Sequence, residues 1–187
     1  MTSKQPFLTD VKEIQKRARE QIEQGAVTPD YQGDVNVVVK LLNDALATEI
    51  VCTLRYRQHY YMAVGIHYQA VAEEFMQHSN EEAQHADQIA ERIRQLNGHP
   101  NFSPDGLLAR SHSQFEEGAS LVEMIKEDLV AERIAIETYR EIIQYLGEKD
   151  PTSRRVMERI LEKEEEHADD MATLLQRIHH EAGQPLQ

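Results

Sequence analysis

Apolar residues recur at i, i+3, i+4 and i+7 through four long stretches of the chain, the spacing of one face of an α-helix. In residues 34–62 the stripe reads Leu42, Ala45, Glu49, Thr53, Tyr56, Tyr60. In 67–97 it reads Phe75, His78, Glu82, His85, Ile89, Ile93, Leu96. In 119–146 it reads Ile125, Leu129, Glu132, Ile136, Tyr139, Ile143, Leu146, and in 151–180 Ile160, Glu164, His167, Met171, Leu174, Ile178. Breaks fall at Val64-Gly65-Ile66, at Gly98-His99-Pro100 and at Gly147, and Pro151 opens the last stretch. Helices of this length are each ~45 Å long. The first and third links are short, which predicts two antiparallel hairpins. The middle link, residues 97–118, is longer than a bundle turn needs. At ~3.3 Å per residue it can run the length of the bundle, with a small helix expected at Leu107-Leu108-Ala109. The expected fold class is all-α, a four-helix bundle with one long crossover connection. Residues 1–33 read as an N-terminal extension, in which Thr9 or Asp10 caps a short helix to Gln24, ended by Gly25. The bundle is expected over 34–181, with 182–187 as a C-terminal tail.

Each stripe is interrupted near its middle by charge. Glu49, Glu82, Glu132 and Glu164 lie near the centres of their helices, so equal helices bring them to one level whichever way each runs. Glu82 with His85, and Glu164 with His167, are i, i+3 pairs that project from one face. Glu49 to Glu82 is 33 residues and Glu132 to Glu164 is 32, so the halves look like a duplicated hairpin. A lone Glu-x-x-His is common, and the charge run from Glu162 to His167 makes one match there nearly unavoidable. Two such pairs with matched spacing, central height and apolar flanks together point to a shared buried site. Four ionised carboxylates in a dry core are prohibitive without compensation, and two divalent cations offset four charges. Carboxylate with imidazole suits iron or manganese rather than a thiolate-preferring metal, and this set on four helices is the di-iron carboxylate arrangement. The expected ligands are Glu49, Glu82, His85, Glu132, Glu164 and His167. Glu49 and Glu132 are terminal or bridging, Glu82 and Glu164 bind or bridge, and each histidine caps one metal. Manganese or zinc remains an alternative occupant.

Composition supports the helical reading. The 187 residues are 40% hydrophobic and 6% aromatic, with 8 Gly and 6 Pro, too few turn formers for a β-sandwich. The one cysteine, Cys52, excludes a disulfide framework, a CxxC zinc site, a rubredoxin-type centre and a Cys-ligated iron–sulfur cluster within one chain. A net charge of −13 argues against a nucleic-acid-binding surface over the whole protein. No apolar run is long enough to span a membrane, and the segment MTSKQPFLTDVKE has no apolar signal region. The expectation is a cytoplasmic protein with no membrane partner.

The segment Leu42-Asn43-Asp44-Ala45-Leu46-Ala47-Thr48-Glu49-Ile50 resembles the first helix of bacterioferritins. His85-Ala86-Asp87 with Glu91-Arg92-Ile93, then Gly98-His99-Pro100-Asn101, resembles their second helix and its exit, and Glu164-Glu165-Glu166-His167 their fourth. The resemblance spans about residues 33–180 and implies a ferritin-like bundle with a di-iron ferroxidase centre at the same six residues. Tyr56 matches the tyrosine beside that centre and is read equally as core packing or as a redox neighbour. Ala83 stands where the family has its haem-binding Met, so no haem is expected, and Met62 and Met76 read as core filler. No fifth helix is expected after the fourth, an N-terminal extension is expected before the first, and the middle link is long. That combination resembles Dps-like mini-ferritins that carry an intrasubunit centre. It implies self-assembly as a 12-subunit cage, with 24 as the alternative.

The expected function is a ferroxidase and iron-storage cage protein that consumes Fe(II) with peroxide or O₂ and so protects against oxidative stress. One rival is a non-storage di-metal redox enzyme of the manganese-catalase, rubrerythrin or hydroxylase kind. Another is a Dps-type DNA-coating protein. The basic residues Lys4, Lys12, Lys16, Arg17 and Arg19 are diluted by Glu13, Glu20 and Glu23 and read as a solvated helix, so nucleic acid is not an expected partner. Cys52 reads as a small buried residue. His78 reads as a satisfied structural histidine, with a transient iron site as the second reading. His179 and His180 are given no role. Glu73, Glu74, Asp169 and Asp170 read equally as solvated faces or as pore and mineral residues.

Overall fold

In the computed structural model, which describes residues 10–63 and 68–181, the helices are α1 Val11–Arg17, α2 Val35–Met62, α3 Gln69–Gln95, α4 Leu107–Arg110, α5 Leu121–Leu146 and α6 Pro151–Glu181. A 3-10 turn at Ile22–Gln24 follows α1. Helices α2, α3, α5 and α6 are the four predicted bundle helices, and no strand occurs among the described residues. The expected break at Val64-Gly65-Ile66, Lys4 and the tail 182–187 lie outside the described residues.

The helix ends are set by short polar side chains. Asp34 accepts from the N–H groups of Asn36 and Val37 at the start of α2. Ser120 accepts from Glu123 N while Glu123 accepts from Ala119 N, a capping pair at the start of α5. Asp150 accepts from Ser153 N ahead of Pro151 at the start of α6. At the end of α3 the left-handed turn is made by Asn97 (φ 59°), one residue before the expected glycine. Gly98 serves another need, because a Cβ there would lie 2.7 Å from the Val39 side chain. The N-terminal helix is shorter than expected: Asp10 caps it, but it stops at Arg17. It buries no residue, and a helix held by propensity alone is marginal at that length.

Helix α2 packs along α3 and α5 along α6, while α2 also meets α5 and α3 meets α6. The contacts His59–Asp128, Tyr56–Glu132 and Glu49–Tyr139 fall in opposite numerical order on α2 and α5, so those helices are antiparallel. The crossover climbs beside α2. Asn43 donates to His99 O and accepts from Asn101 N, Thr48 accepts from His112 N, Arg55 donates to Gln114 O, and a ring nitrogen of His59 lies 3.2 Å from Glu116 O. A fully buried carboxylate, Asp128 of α5, holds Arg55 at 2.9 Å and His59 at 2.8 Å from below. The long connection is thereby fixed at successive levels of α2.

Two apolar clusters fill the bundle. One joins Leu42, Ile89, Ile93, Tyr139, Leu146, Met157 and Ile160. The other joins Tyr56, Val71, Phe75, Met124, Ile125 and Met171 at the opposite end. Met62 and Met76 are not core filler: Met62, the last residue of α2, is 37% exposed, and Met76 is half-buried. No helix among the described residues is long and apolar enough to cross a membrane.

Asp150 ties three segments together. It caps α6, accepts from Tyr31 of the extension and pairs with buried Arg92 of α3 at 3.0 Å. Burial alone would raise its carboxyl, but hydrogen bonds from Ser153 and Tyr31 and the Arg92 charge hold it below the usual carboxylate range. Asp150→Ala removes the cap and leaves a buried guanidinium unpaired, so a loss of ~3–5 kcal/mol is expected in urea denaturation. A loss under ~1 kcal/mol would mean that the cap alone was removed and Arg92 found water.

Candidate metal centre

The six sequence-predicted residues converge between the two apolar clusters. Glu49 comes from α2, Glu82 and His85 from α3, Glu132 from α5, and Glu164 and His167 from α6, and each is at most 4% exposed. They form two interlocking groups, Glu49–Glu82–His85–Glu164 and Glu82–Glu132–Glu164–His167, with ligand atoms within 4.8 Å of one another in each. Glu82 and Glu164 belong to both. Glu82 presents Oε2 to His85 at 3.5 Å and Oε1 to His167 at 3.1 Å. Glu164 presents Oε1 to His85 at 2.9 Å and Oε2 to His167 at 3.6 Å. Glu49 and Glu132 each sit in one group, on opposite sides.

The duplicated hairpin reappears as pairing between the halves. Tyr56 of α2 donates to Glu132 of α5 at 2.5 Å, and Tyr139 of α5 donates to Glu49 of α2. Tyr139, which the sequence analysis places on the apolar stripe without a role, thus contacts the centre as Tyr56 does. Its signal was present, since Tyr139 follows Glu132 by the same seven positions that separate Tyr56 from Glu49. Glu81 was also missed. It lies 2.6 Å from His167 Nε2 and so orients the ring whose Nδ1 faces the centre. No periodicity marked it, because it is one more glutamate beside another.

The centre is electrostatically self-consistent without any ion. Burial, and then the charge of Glu82, push Glu49 up to about 8. Burial, with Glu82 and Glu164, pushes Glu132 well above its usual range. For His85 burial works against charge, but the close carboxylates of Glu164, Glu49 and Glu82 outweigh it and raise the imidazole. His167 is pushed up to about 12 in the same way, by Glu164 and Glu82 against burial. Burial would raise Glu82 and Glu164 too, but contacts with the two histidines hold both below the usual carboxylate range. The charged form is thus favoured for the two imidazoles and for Glu82 and Glu164, and the protonated form for Glu49 and Glu132.

The residues also fit a pair of cations. Glu49 Oε2, Glu132 Oε2, Glu164 Oε1 and His85 Nδ1 are buried with no hydrogen-bond partner. Interiors rarely leave such atoms unpaired. His85 Nδ1 and Glu164 Oε1 are close but not aligned to bond each other. Carboxylate oxygen with one imidazole per group is a donor set for iron, manganese or zinc.

Comparison with known proteins agrees. The ferritin-like domain matches residues 39–180. The chain belongs to the ferritin-like family. It is 31% identical over 143 residues to the bacterioferritin of Rhodobacter capsulatus, covering 76% of this chain and 84% of that one. Among solved structures, the dodecameric thioferritin of Bacteroides fragilis, a bacterioferritin-related protein, superposes with a TM-score of 0.78 at 29% identity, over 83% of this chain and 94% of that one. Dps from Thermosynechococcus elongatus gives a TM-score of 0.71 at 20% identity, over 75% and 90%, a likeness of fold. Ferritin-like membership places the chain among iron-storage and iron-oxidising proteins in general.

The remaining singled-out residues divide clearly. Cys52 is buried and its thiol is pushed up, chiefly by that burial. Ala83 is half-buried on α3, and His180 is exposed. Glu73 and Asp169 face solvent. Glu74 and Asp170 instead turn toward His78, which is fully buried. The expectation of a satisfied structural histidine fails there, since neither ring nitrogen of His78 has a hydrogen-bond partner. α3 places it beside His167, against which its ring stacks at 4.0 Å, and the groups facing it are carboxylates out of bonding alignment.

Proposed function

We propose that the protein is a ferroxidase that oxidises Fe(II) at the six-residue centre and stores the Fe(III) product in a cage of its own copies. Fe(II) is the substrate, bound two at a time. His85, Glu49 and His167, Glu132 hold one ion each, and Glu82 and Glu164 hold both. The observation that carries this reading is the sharing of Glu82 and Glu164 between the two groups, each offering one oxygen to either histidine. Two shared carboxylates place two ions side by side, as two one-electron donors to a single oxidant require. Each Fe(II) gives one electron. With hydrogen peroxide as oxidant, two electrons and two protons yield two waters, and no hydroxyl radical is released. Tyr56 and Tyr139 hold Glu132 and Glu49 in place by hydrogen bonds. Burial raises both phenols, so they stay protonated donors. The net charge of −13 raises the local Fe(II) concentration. The same six residues accept manganese or zinc in iron's absence.

For the cage we propose twelve subunits. The likeness to a dodecameric relative supports this number.

The test is Fe(II) addition to metal-free protein under air and, separately, with peroxide, followed by size-exclusion chromatography with light scattering. Tens of Fe(III) per chain co-eluting with a particle of about twelve chains are expected for a mini-ferritin. A particle of 24 chains would keep storage and overturn the proposed shell. Two metals per chain in a small oligomer without mineral would overturn storage.

A further inference from the structure

We propose that Glu74, His78 and Asp170 form a third divalent-cation site, open to solvent on one side and adjoining the two-metal centre on the other. The decisive residue is His78. It has 0% exposure, yet Nδ1 and Nε2 both lack a hydrogen-bond partner. Buried imidazoles are ordinarily satisfied. Here Nε2 lies 3.4 Å from Glu74 Oε1 without bonding alignment, and 3.6 Å from Asp170 Oδ2, beyond bonding distance. Ligands that each stand ~2.0–2.2 Å from a shared ion are about 3.0–3.5 Å from one another. The three donor atoms all fall within 4.8 Å of each other. Their separations fit an ion between them better than they fit a hydrogen bond.

The placement gives the site a direction. Glu74 and Asp170 have side chains 33% and 43% exposed, so their carboxylates reach water while His78 is closed off. On the inner side the His78 ring stacks on that of His167, with centroids 4.0 Å apart and planes 22° from parallel. Helix α3 carries Glu74, His78 and Glu82 one turn apart on one face, and α6 carries Asp170, His167 and Glu164 at matching three-residue steps. Potential ligands therefore descend the α3–α6 groove from solvent to the centre. Two carboxylate oxygens on partly exposed side chains and one imidazole suit a borderline dication such as Fe(II), Mn(II), Co(II) or Zn(II). The cation is held there before it passes to His167 and Glu82, a role that rests on the ferroxidase reading, whereas the binding site does not.

Co(II) is the probe. Equilibrium dialysis of the metal-free full chain is expected to give three Co(II) per chain, and two in the isosteric Glu74→Gln/Asp170→Asn variant. Anomalous diffraction is expected to place the lost ion beside His78. In Glu49→Gln/Glu132→Gln the third ion is expected to persist. Wild-type protein that binds two Co(II), or a Glu74→Gln/Asp170→Asn variant that retains three, would overturn the site. A wild type that binds a single Co(II), lost in that variant, would support this site while sinking the two-metal reading. For the transit role, stopped-flow oxidation in the same variant is expected to need ~10-fold more Fe(II) for half-maximal rate, with the saturating rate kept. An unchanged half-saturation would overturn that role.

Discussion

Glu164→Gln is expected to slow Fe(II) oxidation, at two Fe(II) per chain, by ~10²-fold or more. The same substitution is expected to cost the metal-free protein ~3 kcal/mol or more. The reason lies in what Glu164 does in each state. In the metal-free core it is an ionised partner of both His85 and His167. Removing its charge leaves two buried imidazoliums with Glu82 as their shared counter-ion. In the loaded core it is one of the two carboxylates that both ions share. Glu132 sits differently. It is ligand to one ion, and without metal burial and the charges of Glu82 and Glu164 push its carboxyl well above the usual range, toward the protonated form. Glu132→Gln is therefore expected to slow oxidation by a similar order while leaving the stability of the metal-free protein nearly unchanged. Stopped-flow absorbance at stoichiometric Fe(II) and urea denaturation of metal-free protein, both at pH 7, separate the two cases. Equal stabilities for the two variants would refute the charge assignment, and a wild-type oxidation rate in either would refute its ligand role.

Metal binding is expected to release about four protons for each pair of divalent ions taken up near pH 7. One is expected from each group whose value is raised in the metal-free core: Glu49, Glu132, His85 and His167. The sign follows from competition. All four groups have raised values, which favours their protonated forms, for Glu49 up to about pH 8. A dication must displace them, and lowering the pH weakens binding. With four protons displaced, the overall constant for the pair changes by ~10⁴-fold per pH unit in this window. Zn(II) uptake in a pH-stat counts the protons directly, and competition with a chelator at pH 6 and 7 gives the slope. Release of one proton or none would mean that the carboxyls are already ionised and that the core carries unbalanced negative charge. The exchange keeps the core neutral throughout: four carboxylates with two dications replace two carboxylates, two carboxyls and two imidazoliums. That is how the bundle tolerates so many ionisable groups at its centre with or without metal.

Sequence periodicity alone determined the four bundle helices, the long crossover and the six convergent residues. These are legible because a helix repeats every 3.6 residues, so a charged residue on an apolar stripe declares its burial, and a central position declares its height. The Glu-x-x-His pairs and the near-equal spacing within each half added the chemistry. Tyr139 could have been read by the same rule that picked Tyr56, because the interval from Glu132 repeats that from Glu49. Other features had no one-dimensional signal. Which glutamates are shared depends on how four helices face one another across the bundle, and the Glu82 and Glu164 carboxylates are placed by contacts between α3 and α6. Glu81 and Glu82 are adjacent in sequence, yet one orients His167 from the rim and the other enters the core, a difference of helix rotation set by packing. Glu74 parts from Glu73, and Asp170 from Asp169, for the same reason. Burial without a partner, as at His78, exists only between elements. A side chain's neighbours on its own helix are fixed by local geometry, but its partners across the bundle are decided by the tertiary fold.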